Sequence, residues 1–388
     1  MDRRLKEYST YRHTDKKRRY TNKEGDVRLV QGNFDPLICF CTVLLVLFGI
    51  LMVFSATYYR MGNSAVYNYD SYYYLKRNVL FSGMGIVAMF IVSTIPYGYY
   101  KRVYKLCYIA SVVLLLAVLF FGKEVNGAKR WLFGFQPSEL SKILMIIFLA
   151  EYICIHKSVL TDFREFAVCC LCVLFPIGLI AVENLSTAIV MSAICFGMLF
   201  VAGASFRFFV PLCILGVVGV LTMTFGEGFR AGRVSAWLDP FSDPSDTGYQ
   251  IVQSLYAIAS GGMFGLGIGQ SRQKMYMPEA HNDIIFAIVC EELGLIGAAI
   301  IVFLFVVLIY RCARAAMKSY DNFAMLTASG ITIMIATQVA INLAVVTNSM
   351  PNTGIPLPFI SYGGTSMLIM LSSMGVILNI SRHFKDTM

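Results

Sequence analysis

Asp283 is the side chain whose position most needs a chemical explanation. It closes the string Pro278-Glu279-Ala280-His281-Asn282-Asp283 and opens the apolar run Ile284-Ile285-Phe286-Ala287-Ile288-Val289. A carboxylate carried into a membrane helix costs about 3 kcal/mol, so one that persists there is solvated, paired or used. At such an edge it can take a proton from a hydroxyl, or it can hold a divalent cation, Mg or Mn. His281, two residues earlier, could tune that proton or join a metal site.

A second constellation is Gln136-Pro137-Ser138-Glu139-Leu140-Ser141-Lys142. Ser138 after Pro137 has the chemistry of a helix N-cap. Glu139 and Lys142 stand three apart, share a helix face and can pair. A structural ion pair is one reading; the other has Lys142 facing a cavity and an anion. Further cations stand at Lys123, Lys129, Arg130, Arg230, Arg233, Arg272 and Lys274. They either meet Glu124, Asp239, Asp243 and Asp246 or bind an anionic ligand, for which phosphate is the usual chemistry.

These groups must be positioned by membrane helices. Of 388 residues, 57% are hydrophobic and only 14% charged, against about 25% charged in a soluble domain. Apolar runs of roughly 20 residues, each able to cross the hydrocarbon, recur along the chain. This predicts an all-α polytopic membrane protein with about ten transmembrane helices, near 37–59, 78–97, 104–122, 140–156, 164–182, 187–204, 208–226, 284–310, 323–347 and 364–381. An even number puts both termini on one side. Lys101, Arg102, Lys105, Lys157, Arg164, Arg207, Arg311, Arg314, Lys318, Arg382 and Lys385 then fall on the N-terminal side, which the positive-inside rule makes cytoplasmic. Residues 1–36 form a basic cytoplasmic tail expected to be disordered, 37–381 the transmembrane domain and 382–388 a second cytoplasmic tail. Residues 227–283 make a large extracytoplasmic loop between helices 7 and 8. The tail does not resemble a cleavable signal peptide. The net charge of +9 belongs to this topology and to membrane lipid rather than to nucleic acid.

The outer cations violate positive-inside, so something should compensate them. The same loops hold unusual backbone. Gly261-Gly262 and Gly265-Leu266-Gly267-Ile268-Gly269 follow an amphipathic segment, Tyr249 to Ser260, and Pro351, Gly354, Pro356 and Pro358 lead to Gly363-Gly364. Irregular backbone at membrane depth lines a cavity or is buried in protein. Glycines near cations are weak evidence for phosphate binding, and no Walker or dinucleotide motif is present. If the eighth span were helical from Asp283, Glu291 would lie roughly 12 Å deeper and about 80° round, with Glu292 pointing the opposite way. Structural hydrogen bonding is favoured for this pair over a proton relay. Gln338, Asn342 and Asn348 suit interhelical hydrogen bonds. The 11 cysteines stand in or just beyond apolar runs and read as small hydrophobes. No His accompanies Cys169, Cys170 and Cys172, so no metal is expected there.

Taken together, these strings resemble the SEDS family (shape, elongation, division and sporulation proteins: RodA, FtsW, SpoVE). The resemblance rests on Lys129-Arg130-Trp131 with Phe135 to Lys142, on Pro278 to Ala287, on Glu291-Glu292-Leu293-Gly294, and on Asn348 to Gly364, in order over 37–381. Gly269 to Lys274 and His281-Asn282-Asp283 favour the FtsW/SpoVE branch. Asn184 departs from the family, many members of which carry an acid there, so no acid's role transfers to it.

The resemblance implies a peptidoglycan glycosyltransferase in the bacterial cytoplasmic membrane, at the division septum. It would polymerise lipid II into β-1,4 glycan strands beside a class B penicillin-binding protein and other divisome proteins, for septal or spore wall. The acceptor 4-hydroxyl would attack the donor anomeric carbon with inversion, and undecaprenyl diphosphate would leave. Asp283 would be general base or metal ligand. Arg130, Lys142, Arg233 and Lys274 would contact the diphosphate, Glu139 would orient Lys142, and Ser361 and Tyr362 would shape the sugar side. A lipid II flippase and a non-catalytic division scaffold are the alternatives. A transporter would show repeated halves, which are not evident, and a scaffold leaves Asp283 unexplained.

Overall fold

A computed structural model describes residues 19–21, 28–31, 34–62, 69–125, 128–132, 134–225, 228–243, 248–277 and 279–385. Its helices are α1 (Pro36–Gly62), α2 (Tyr73–Thr94), α3 (Gly98–Arg102), α4 (Tyr104–Phe121), α5 (Pro137–Ile155), α6 (Phe163–Glu183), α7 (Leu185–Val201), α8 (Phe209–Phe225), α9 (Gly228–Leu238), α10 (Tyr249–Gly261), α11 (Ile285–Met317), α12 (Asn322–Val346) and α13 (Gly364–Ser381). Short strands are β1 (Arg19–Thr21), β2 (Arg28–Gln31), β3 (Lys123–Val125), β4 (Ala128–Trp131) and β5 (His383–Lys385). Helices dominate because lipid offers no partner for a backbone N–H or C=O.

Among the described residues, seven helices are long and apolar enough to cross a membrane, and Leu185–Val201 and Phe206–Thr222 are shorter apolar helices. With α5, whose 19 residues include Glu139, Lys142 and Glu151, each of the ten expected spans finds a helix. The second starts at Tyr73, five residues earlier than expected. β2 pairs antiparallel with both β1 and β5, so the chain enters and leaves the bundle at the same end. At that end Asp35 pairs with Arg311 at 2.5 Å and its backbone N–H donates to Ser381 Oγ at 3.1 Å. The expected disordered tail lies outside the described residues except at β1, β2 and Phe34 to Pro36.

Packing is uneven. In α12 and α13, 61% of the crossing window is buried, against 17% in α4. The first two are therefore the centre of the bundle, and α4 is a lipid-facing wall. α8 stands at the margin, with Ile214, Leu215, Val217, Val218 and Leu221 exposed.

The eighth span differs most from expectation. It is not helical from Asp283: α11 begins at Ile285, and Gly294 inside it has φ +67°, ψ −171°, a conformation open essentially to glycine alone. Breaking a helix at membrane depth orphans backbone groups. The 261–267 loop takes them up. Leu266 and Gly267 N–H donate to the carbonyls of Glu291 and Glu292, each at 2.9 Å; Leu295 and Ile296 N–H donate to Gly262 and Met263 at 2.9 and 3.2 Å. Main chain meets main chain, since a Cβ at Gly265 would overlap the Glu292 carbonyl and one at Gly294 the backbone of Met263 and Gly265. The glycine run thus serves backbone pairing.

Both glutamates reach the same loop. Glu291 accepts from the Ser271 hydroxyl and from Arg272 N–H at 2.9 Å. Glu292 accepts from the Ser55 hydroxyl of α1 at 2.6 Å, Ser271 N–H at 3.3 Å and Lys274 Nζ at 3.1 Å.

Candidate active site

Asp283 sits where the outer loop turns into α11, half-buried at the edge of the bundle. Three elements hold it. From α12, the Asn342 side chain donates through Nδ2 to the Asp283 carbonyl at 2.6 Å and to the Ile355 carbonyl at 2.9 Å. From the 348–363 segment, Gly354 (φ +67°) lies against the carboxylate, so a Cβ there would stand 3.7 Å from Oδ2. From α9, Arg233 donates to the Asn352 carbonyl at 3.2 Å. Trp237, one turn on, donates through Nε1 to the Asn348 carbonyl at 3.1 Å. Asn352 in turn donates to Gln250 of α10 at 2.7 Å.

On the other flank, Tyr362 N–H donates to the His281 carbonyl at 2.9 Å. The rings of Tyr74 and His281 lie 4.4 Å apart and those of Tyr74 and Tyr362 4.7 Å apart. This gathers α2, the 279–284 turn and the approach to α13 around one aromatic cluster. Tyr362 keeps partial exposure, whereas Ser361 is buried. The Ser361 Oγ accepts from Leu357 N–H at 2.8 Å, so its first role is to close that turn.

Loss of hydration pushes the Asp283 carboxyl up from the ordinary carboxylate range to about 6, with Glu279 adding to the rise and Arg233 opposing it. A carboxylate with such a pKa is ionised at neutral pH and close enough to it to accept a proton. As a metal cage the surroundings are poor: among the described residues no three His, Cys, Asp or Glu side chains converge on a common point. A divalent cation would rest on Asp283 and on oxygens of its ligand.

The other expected site residues separate into two groups. Glu139 and Lys142 pair at 2.9 Å, both buried at the head of α5. Glu139 lines a small cavity with Gln338, Pro358 and Ser361, so the pair stands behind the wall that carries Ser361, with Lys142 buried against Glu139. Arg130, on β4, is half-buried and donates to the Glu183 carbonyl at 3.2 Å. The next residue, Asn184, caps α7 by accepting from Thr187 N–H at 3.1 Å. Lys274 is the fourth cation expected at the diphosphate. It is buried, and Nζ donates to Gly269 O at 2.7 Å, Glu292 at 3.1 Å and Ser55 at 3.4 Å, so its three protons have protein partners.

Sequence reasoning missed α9. The signal was present, because Val234, Trp237 and Leu238 recur at helical spacing. It was outweighed by the loop's polar composition. The Asn342 partners were also missed: an amide in a span is visible in sequence, but the carbonyls it meets are set by tertiary structure.

Fold and site together define a multi-pass helical membrane protein whose candidate carboxylate, Asp283, lies at one end of the bundle. The family model for FtsW/RodA/SpoVE cell cycle proteins matches residues 35–386, and the chain belongs to that family. It is 42% identical to stage V sporulation protein E of Bacillus subtilis (strain 168), over 90% of this chain and 97% of that one. It is 35% identical to a probable peptidoglycan glycosyltransferase FtsW of Geobacter sp. (strain M18), over 92% and 99%. Among solved structures it resembles a chain of a peptidoglycan synthase complex that coordinates polymerisation and crosslinking, with TM-score 0.75 and 27% identity over 90% and 98% of the two chains. It also resembles the rod shape determining protein RodA of Thermus thermophilus, with TM-score 0.65 and 25% identity over 90% and 97%.

Proposed function

We propose that this protein is a peptidoglycan glycosyltransferase that polymerises lipid II into β-1,4 glycan strands at the outer face of the cytoplasmic membrane. One observation carries the reading: in a chain of this family, Asp283 is held half-exposed at the head of α11, with its pKa raised to about 6. Lipid II brings an isoprenoid tail, a diphosphate and a sugar to one interface, and this bundle offers lipid-facing walls, cations and one poised acid there.

The acceptor 4-hydroxyl attacks the donor anomeric carbon. The new C–O bond forms as the bond to the diphosphate breaks, the hydroxyl proton passes to Asp283, and undecaprenyl diphosphate leaves with inversion. Arg233, whose field already acts on Asp283, and Arg130 are the cations assigned to the diphosphate. Glu139, Lys142 and Ser361 support the wall beneath the sugar, and Tyr362 presents the exposed edge. The base role is preferred to metal ligation because no three metal-ligating side chains converge there among the described residues and burial shapes the proton affinity of Asp283.

A class B penicillin-binding protein is the partner proposed for crosslinking, in keeping with the synthase complex this fold resembles. The division septum or forming spore wall is the proposed location, with other divisome proteins nearby, following the names of the FtsW and SpoVE relatives. The test is lipid II polymerisation by the detergent-purified protein, with and without its penicillin-binding protein. The parent should form glycan strands and Asp283→Asn none. Polymer formed in detergent, where nothing can be translocated, speaks for an enzyme over a flippase. Full activity in a folded Asp283→Asn variant would refute the assignment.

A further inference from the structure

We propose that Asn342 of α12 is a positioning residue for the transfer step, acting through the main chain of Asp283. The inference rests on the reading of Asp283 as the base. Asn342 is buried, and both of its bonds run to carbonyl oxygens in the irregular segments that meet at the site: Asp283 O at 2.6 Å and Ile355 O at 2.9 Å. Both partners are acceptors, so the amide nitrogen must face them. One side chain therefore sutures the turn bearing the acid to the segment bearing Gly354, whose backbone flanks the carboxylate.

The geometry separates this residue from ordinary interhelical glue. Interhelical amides commonly use both ends of the group. Here the Oδ1 end is buried with no hydrogen-bond partner among the described residues. A buried idle acceptor is a cost, tolerated because the donors are needed. Among the described residues, no other α12 side chain hydrogen-bonds the Asp283 main chain. Its neighbour one turn earlier, Gln338, faces the Glu139 cavity instead. Carbonyl groups at a non-helical turn are free to rotate unless held, and rotation there would swing the carboxylate away from the acceptor hydroxyl. Displacement of a catalytic group by about 1 Å can cost on the order of 100-fold in rate.

A purely structural role would lower the amount of folded protein without changing the turnover of what is folded. Asn379 is the matched control. It is equally buried, and bonds Ser93 O at 2.8 Å and Tyr97 N–H at 3.3 Å, at the opposite end of the bundle. The experiment measures lipid II polymerisation by the full chain with its penicillin-binding protein, as kcat and KM per folded molecule, for Asn342→Leu, Asn342→Gln and Asn379→Leu. Folded protein is measured by thermal melting. Asn342→Leu should lose roughly 30- to 100-fold in kcat with KM within about twofold of the parent. Asn342→Gln, which keeps a donor and more readily keeps the fold, should recover at least about tenfold of that loss. Asn379→Leu should lower the melting temperature with kcat within about twofold.

A kcat for Asn342→Leu near the parent's, a loss shared equally by Asn379→Leu, or a rise in KM accounting for the loss would each overturn the proposal. So would Asn342→Gln recovering nothing. Parent-like polymerisation by Asp283→Asn in the same assay would instead sink the base reading, and the positioning role with it. An inactive Asp283→Asn beside an unaffected Asn342→Leu would leave the base standing and remove the positioning role alone.

Discussion

Replacing Asp283 by Asn should make the protein inactive and, above about pH 6, more stable. The sign follows from linkage. A carboxyl pushed up from 3.8 to about 6 on folding binds its proton more tightly in the native state than in the unfolded chain. Below about pH 4 both states are protonated and the site costs nothing. As pH rises through 4 to 6 the unfolded state ionises first, and above about 6 the native state holds a carboxylate it solvates poorly. At complete burial such a shift corresponds to about 3 kcal/mol. Asp283 keeps some solvent contact, so the expected gain from Asn is about 1–2 kcal/mol. For a chain of this size that is a rise of roughly 1–2.5 °C in melting temperature. Melting in detergent at pH 5, 6.5 and 8 tests it: the variant should melt above the parent at pH 8, the gap closing toward pH 5. Parent polymerisation should fall as pH drops through about 6, as the base takes up its proton. Equal or lower melting of Asp283→Asn across the whole range would refute the argument that burial raises this pKa.

Three further expectations follow from other contacts. Gly294→Ala should lose about 2–4 kcal/mol, combining backbone strain with loss of the loop's pairing to the break in α11; tryptic cleavage at Arg272 should accelerate with it, and a parent-like digestion pattern would contradict it. Lys274→Met should cost about 3–5 kcal/mol by stranding the buried Glu292 carboxylate, and adding Glu292→Leu should restore most of that. In the double variant polymerisation should stay within about threefold of the parent, whereas a diphosphate contact at Lys274 would forbid it. Arg233→Gln should raise the acid limb of the pH–rate profile above its parent value, because the cation that favours the ionised Asp283 is gone; an unmoved limb would show that the two groups are not coupled.

Much of the architecture was legible because membrane insertion leaves a strong signal. The ten apolar runs read in the sequence each fall on a helix, seven of which are long and apolar enough to cross among the described residues, and even α5, diluted by Glu139, Lys142 and Glu151, was found. The break in α11 was not. Gly294 in Glu291-Glu292-Leu293-Gly294 looks like any glycine in an apolar helix, since glycine is common in membrane spans. Its positive φ exists only because the 261–267 loop supplies the missing partners. The same blindness left the glycine run open to a weak phosphate-binding reading. Asp283 was identifiable because an acid opening an apolar run is improbable by composition alone, while the Asn342 amide that holds it required knowing where the chain returns.

The outer polar groups teach why sequence alone could not separate ligand contacts from scaffold. Lys274 and Arg233 are both loop cations in violation of positive-inside, and each creates the same apparent need for an anion. The protein answers the need differently. Lys274 is buried among a carbonyl, a hydroxyl and the Glu292 carboxylate, which meet all its protons, so it neutralises a charge that the broken helix brings inside. Arg233 stays half-exposed on an amphipathic helix laid across the site, and its field reaches Asp283. A charge whose partners are complete stabilises the fold. A charge with exposed surface beside an acid of raised pKa can still act on a ligand. By that criterion Arg233 is the cation we propose for the diphosphate, while Lys274 goes with the Gly294 break that lets the outer loop enter the bundle.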